Sequence, residues 1–103
     1  MFHVEGIVLE LTEIFGALIV YTDDSLRGEN ISVRTRANIY QGFDANVVER
    51  IVNRRLVFAA IFPKLPPGDY SVHYTSPPGK RKPAKDATVT IFPGEVAEID
   101  WRS

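Results

Sequence analysis

Apolar and polar residues alternate along much of this chain with a period of two. That period is the signature of a strand with one buried face. In NISVRT (30–35), Ile31 and Val33 fall on one side, Ser32 and Arg34 on the other. After Gly68, Tyr70, Val72 and Tyr74 share one face, and Ser71 and His73 share the opposite one. In EVAEIDW (95–101), Ala97, Ile99 and Trp101 oppose Glu98 and Asp100. GALIVYT (16–22) is β-branched and aromatic and runs into the polar turn Asp23-Asp24-Ser25, so it also reads as a strand. SLRG (25–28) reads as a short loop, and ATVTIF (87–92) as another strand.

ANVVERIV (45–52) and RLVFAAIF (55–62) flank Asn53-Arg54, which predicts a hairpin. Asn tolerates the positive φ of a type I′ turn, although the usual second-position Gly is missing. RLVFAAIF is apolar on both faces, as expected of a central strand or one at a subunit contact. Residues 36–44 contain Gly42 and read as a loop, anchored by Ile39, Tyr40 and Phe43.

Proline divides the chain. Residues 1–62 have none, and all seven lie between Pro63 and Pro93. FPKLPPGDYSVHY (62–74) therefore breaks an apolar run abruptly. Pro63, Pro66 and Pro67 cannot donate to a ladder, so pairing is expected to lapse there. Pro67-Gly68 suits a type II turn, with Leu65 dipping into the core from the connection. SPPGKRKPAKD (76–86) is too polar and proline-rich for an element, and Pro93-Gly94 supplies the last turn. The N-terminal segment fits two templates. Val4, Ile7, Val8, Leu11, Ile14, Phe15 and Leu18 form a helical face, while Ile7, Leu9 and Leu11 form a strand face. Gly6 and the β-branched content favour the strand.

Short strands separated by turn signals predict one all-β domain, an antiparallel β-sandwich of about seven or eight strands. LPPGDYSV (65–72) followed by ATVTIFPGEVAEIDW (87–101) resembles the end of carboxypeptidase-regulatory-like and prealbumin-like (transthyretin-like) modules. Leu65, Pro67, Gly68, Tyr70 and Val72 match their turn-and-strand pattern. The match spans residues 55–101, and GALIVYT only partly echoes the segment that opens such modules. The resemblance implies a prealbumin-like sandwich with a non-catalytic accessory, adhesion or carbohydrate-binding-like role.

Composition narrows the function classes. With 103 residues, 45% hydrophobic and 24% charged, the chain can bury a modest core, and global disorder is not expected. A net charge of −1 gives no global signal for nucleic acid. The chain has no cysteine, which excludes disulfides, thiolate catalysis and Cys-based zinc sites. Glu5, Glu10 and Glu13 interrupt the N-terminal apolar residues, so no signal peptide is expected. No run reaches the roughly 20 apolar residues needed to span a bilayer. A soluble, cytoplasmic protein is the expectation.

Candidate chemistry is sparse. His3 and His73 are the only histidines and lack metal-ligand spacing. Ser71 lies two residues from His73, but no serine sits in a nucleophile-elbow motif. Asp23, Asp24, Glu29 and Asn30 offer oxygen donors without calcium-loop spacing. Glu49, Glu95, Glu98 and Asp100 read as polar strand positions. No cofactor and no catalytic residue are expected. Lys80, Arg81, Lys82 and Lys85 form the main charge cluster, which Arg54 and Arg55 could extend towards an acidic partner. Tyr21, Tyr40, Phe43, Tyr70, Tyr74 and Trp101 would serve as a sugar platform if exposed and as core if not. The candidate interaction residues are therefore Lys80, Arg81, Lys82, Lys85, Tyr40 and Phe43, with Pro67, Gly68 and Tyr70 as the structural turn. The expected partner is a protein or a second copy, with carbohydrate or another small ligand as the alternative; a small hydrolase, the least favoured reading, would need His73 and a carboxylate to converge in a pocket.

Overall fold

The structure, a computed structural model, describes residues 3–37 and 41–102. Two four-stranded sheets pack face to face. Sheet A holds β4 (Val48–Val52), β5 (Arg55–Leu65), β1 (Gly16–Thr22) and β8 (Val96–Asp100), in that order. Sheet B holds β3 (Gly42–Asn46), β2 (Asn30–Thr35), β6 (Gly68–Tyr74) and β7 (Lys85–Ile91). Every pairing is antiparallel except β1 with β8. A single 3₁₀ turn, Asp24–Leu26, interrupts the β1–β2 connection. The expected all-β sandwich is therefore present, with eight strands among the described residues.

The main core lies between the sheets and follows the period-two pattern. Leu18, Val20, Ala60 and Phe62 from sheet A meet Ile31, Val33, Tyr70, Val72, Tyr74 and Ile91 from sheet B. Leu65 is fully buried, as its place in the connection suggested. The Tyr70 hydroxyl donates to the Pro66 carbonyl at 2.6 Å, which ties the double-proline link to the strand it starts.

Several sequence expectations are corrected. Residues 45–52 are not one strand. The chain changes sheets at the buried Val47, which exchanges backbone hydrogen bonds with Gly28 and Glu29. Gly42–Asn46 is strand rather than loop, and Phe43 lies within it. Pairing lapses at Pro63 as expected, but only locally: Pro63 and Lys64 have no partner in the β1 register, and pairing resumes at Leu65. β5 continues to Leu65 through an irregularity in which Leu18 faces Phe62 and Gly16 faces Leu65. A bulge tolerates proline because the ladder is already broken there. Gly68 has φ +143°, far from the roughly +80° of a type II turn. It opens β6 directly after a two-residue link between the sheets. Type II geometry occurs instead at Pro93-Gly94, where Gly94 has φ +75° and the Glu95 N–H bonds the Phe92 carbonyl. The Asn53-Arg54 hairpin is present, with φ of 49° and 69° as a type I′ turn requires.

The N-terminal segment is neither strand nor helix. Residues 3–5 bridge the edge of β4 through Val4 and Val52. The chain then crosses the outer face of sheet A as an irregular strap. Val4, Ile7 and Leu9 cover Ile19, Tyr21, Val52, Ala59 and Ile61, a second apolar cluster. This accounts for the two-sided apolar character of RLVFAAIF. One face of β5 belongs to the main core, and the other lies under the chain's own strap.

Candidate interaction surface

Among the described residues, no such strap crosses the outer face of sheet B. That face carries the polar half of each strand's alternation, and the strand order joins those halves into rows. Asp44, Ser32, His73 and Asp86 stand side by side across the four strands. The next row is Gly42, Arg34, Ser71 and Thr88, and Asp69 pairs with Thr90 beyond it. Each strand was readable separately as half-buried. The shared register makes their exposed halves one surface.

Contacts along the rows fix the side chains. His73 Nδ1 bonds Asp86 Oδ1. Arg34 Nη1 donates to the Val33 carbonyl at 3.3 Å and lies 3.9 Å from Asp44. Thr90 donates to Asp69 at 2.7 Å, and Asn30 to Asn46 at 3.2 Å. The face presents Arg34 and His73 among three carboxylates, Asp44, Asp69 and Asp86, and the hydroxyls of Ser32, Ser71, Thr88 and Thr90. Such a surface suits complementary polar contact.

Of the remaining candidates, Phe43, Pro67, Gly68 and Tyr70 line one open cavity of about 680 Å³ beside the β2–β3 connection, and the basic residues lie apart from it. Phe43 sits on the inner side of the edge strand β3 and is only partly exposed. Tyr40 lies outside the described residues. Lys80, Arg81 and Lys82 lie in the β6–β7 connection, at the opposite end of sheet B from the β2–β3 connection next to Phe43. Lys85 begins β7 opposite Tyr74. Arg54 and Arg55 belong to the β4–β5 hairpin of sheet A, so they do not extend the same strand connection. Tyr70 and Tyr74 are buried, as is Tyr21, and Trp101 is half-buried against the core. Pro67 and Gly68 form the inter-sheet link described above.

Lys80 and Lys82 are also committed within the chain. Lys80 Nζ donates to Glu29 at 3.0 Å, and Lys82 Nζ lies 3.9 Å from the same carboxylate. The Tyr74 hydroxyl donates to Glu29 at 2.8 Å. The Lys80 hydrogen bond, followed by that from Tyr74, holds the Glu29 carboxyl below its usual range. This pairing was invisible in sequence, where Glu29 grouped with Asp23 and Asp24 rather than with a lysine 51 positions away.

A second polar cluster closes the uncovered end of the outer face of sheet A. Tyr21 donates to Glu98 at 2.6 Å. Burial, then that hydrogen bond, pushes the Tyr21 phenol well above its usual range. Arg102 grips Asp100 through Nε at 2.9 Å and Nη2 at 2.7 Å and stacks 4.8 Å from the Tyr21 ring centre. The Arg102 fork holds the Asp100 carboxyl down at about 2. Among the described residues, no group of three or more His, Asp or Glu is placed to hold a metal ion. No helix among them is long and apolar enough to cross a membrane. Searches against family models, curated proteins and solved structures find no match to this chain.

Proposed function

We propose that this protein is a non-enzymatic interaction or accessory β-sandwich module of the cytoplasm, docking a protein partner on the outer face of sheet B. The asymmetry of the two outer faces carries the reading. The strap covers the apolar part of the outer face of sheet A, whereas sheet B presents polar side chains in aligned rows. The resemblance of residues 65–72 and 87–101 to prealbumin-like accessory modules supports the same role. Sugar binding is less well supported, because Tyr21, Tyr70 and Tyr74 are interior.

The test is affinity capture with wild type beside two variants. Arg34→Glu/His73→Glu alters the open face, and Glu98→Gln alters the other sheet. Loss of the same partner from the first variant alone supports the reading. Retention by both sinks it. Self-association is the second reading, favoured by the exposed cross-strand pair Ile51 and Leu56. Sedimentation velocity across a concentration series checks it. A dimer abolished by Leu56→Asp supports it, and a monomer throughout removes it.

A further inference from the structure

Among the described residues, Glu29 is the one charged residue in the buried set, with 5% of its side-chain surface exposed. A carboxylate withdrawn from water is costly unless charged partners and hydrogen bonds meet it. Here they come from Tyr74 on β6 and from Lys80 and Lys82 in the connection beyond it. The connection is shaped to deliver both lysines. Ser76 Oγ donates to the Lys80 carbonyl at 2.8 Å and accepts from the Lys82 N–H at 3.3 Å. Lys82 Nζ also donates to the Ser25 carbonyl, which ties the connection to the 3₁₀ turn. Arg81, between the two lysines, is exposed and makes no ion pair among the described residues.

We propose that Glu29 acts as an internal stand-in for an acidic ligand. It occupies Lys80 and Lys82, and it keeps a cationic docking surface for carboxylate-rich polypeptide closed until that ligand displaces it. An internal carboxylate competes at high effective concentration, so an outside anion must exchange with it rather than add to a free patch. With Glu29 in place, its carboxylate offsets the charge of Lys80, which stays half exposed, and of Lys82, and Arg81 is the unpaired cation of the three among the described residues. With Glu29 displaced, the connection offers Lys80, Arg81 and Lys82 together. Polypeptide is favoured over single-stranded nucleic acid because the latter uses stacking aromatics, and Tyr74 beside the loop is buried with its hydroxyl committed. This surface is separate from the outer face of sheet B, and the proposal stands whether or not that face docks a partner.

The test measures binding of fluorescent poly-L-glutamate by anisotropy over a salt series. Glu29→Gln is compared with Glu13→Gln, which changes net charge equally at an exposed position. The expected result is an affinity gain of about tenfold for Glu29→Gln at low salt, with a steeper salt dependence, against about twofold or less for Glu13→Gln. Adding Lys80→Ala to Glu29→Gln should erase the gain. Equal affinities for the two glutamine variants would overturn the proposal. Tighter binding of oligothymidylate than polyglutamate by Glu29→Gln would overturn the partner assignment. If circular dichroism shows Glu29→Gln unfolded, single substitutions in the native background decide. A larger loss of polyglutamate binding from Arg81→Ala than from Lys80→Ala supports the latch, and the reverse order refutes it.

Discussion

The two outer faces of this sandwich are each built from four strands yet meet different fates. On sheet A the outward positions Ile19, Ala59 and Ile61 are apolar, and an irregular strap with few backbone hydrogen bonds covers them. On sheet B the outward positions Ser32, Arg34, Ser71, His73, Asp86 and Thr88 are polar, and nothing else in the described chain is needed over them. Covering a sheet face requires only apolar contact, so the strap can do it without joining the ladder. A polar face left open can retain groups for recognition at little cost in stability.

The comparison can be broken most directly in urea. Ile19→Ala removes a fully buried side chain under the strap and should cost about 2–4 kcal/mol, whereas Ser71→Ala on the open face should stay within about 0.5 kcal/mol. Equal shifts in the two unfolding curves would mean that the strap is not a structural cover. Gly68→Val tests the link from which one sheet feeds the other. At φ +143° a branched residue is strained by about 1–3 kcal/mol, and an unchanged melting temperature would contradict that conformation.

Val4→Ala probes the strap itself. It removes two methyl groups from a residue 2% exposed and should cost about 1–2 kcal/mol. Hydrogen exchange should then rise along residues 3–10 before it rises in β2 or β6. A smaller effect, of opposite sign, is expected at the hairpin the strap bridges. Arg54→Gly relieves a left-handed conformation at φ 69° and should stabilise by about 1 kcal/mol in thermal melts.

The smallest effect concerns acid. The Asp100 carboxyl is held down at about 2 by Arg102. A depressed pKa stabilises the fold above the unfolded value of about 3.9 and loses that contribution as pH falls towards about 2. Asp100→Asn should flatten stability across that window. A carboxyl resonance titrating near 4 in the native protein would refute the Arg102 clamp.

Much of the sandwich was legible because each strand announces itself locally. The alternation of Ile31 and Val33 against Ser32 and Arg34, and of Tyr70, Val72 and Tyr74 against Ser71 and His73, assigns buried and exposed sides from sequence. Misreadings fell where local signals compete with pairing. Pro63 reads as a strand breaker, yet a bulge in β5 accommodates it. ANVVERIV reads as one strand, yet burial of Val47 carries it from one sheet to the other. The strap's apolar residues satisfy two periodicities because contact with a flat face needs neither helix nor ladder.

By itself, the sequence determined the all-β class, the hairpin at Asn53-Arg54 and the core side of most strands, because these depend on neighbours one or two residues apart. Only the tertiary structure decided the strand order that aligns His73 with Asp86 and Ser32, the strap that covers β5, and the pairing of Glu29 with Lys80. Those contacts join residues far apart along the chain. Their stability comes from burial and charge pairing that exist only once both sheets are in place.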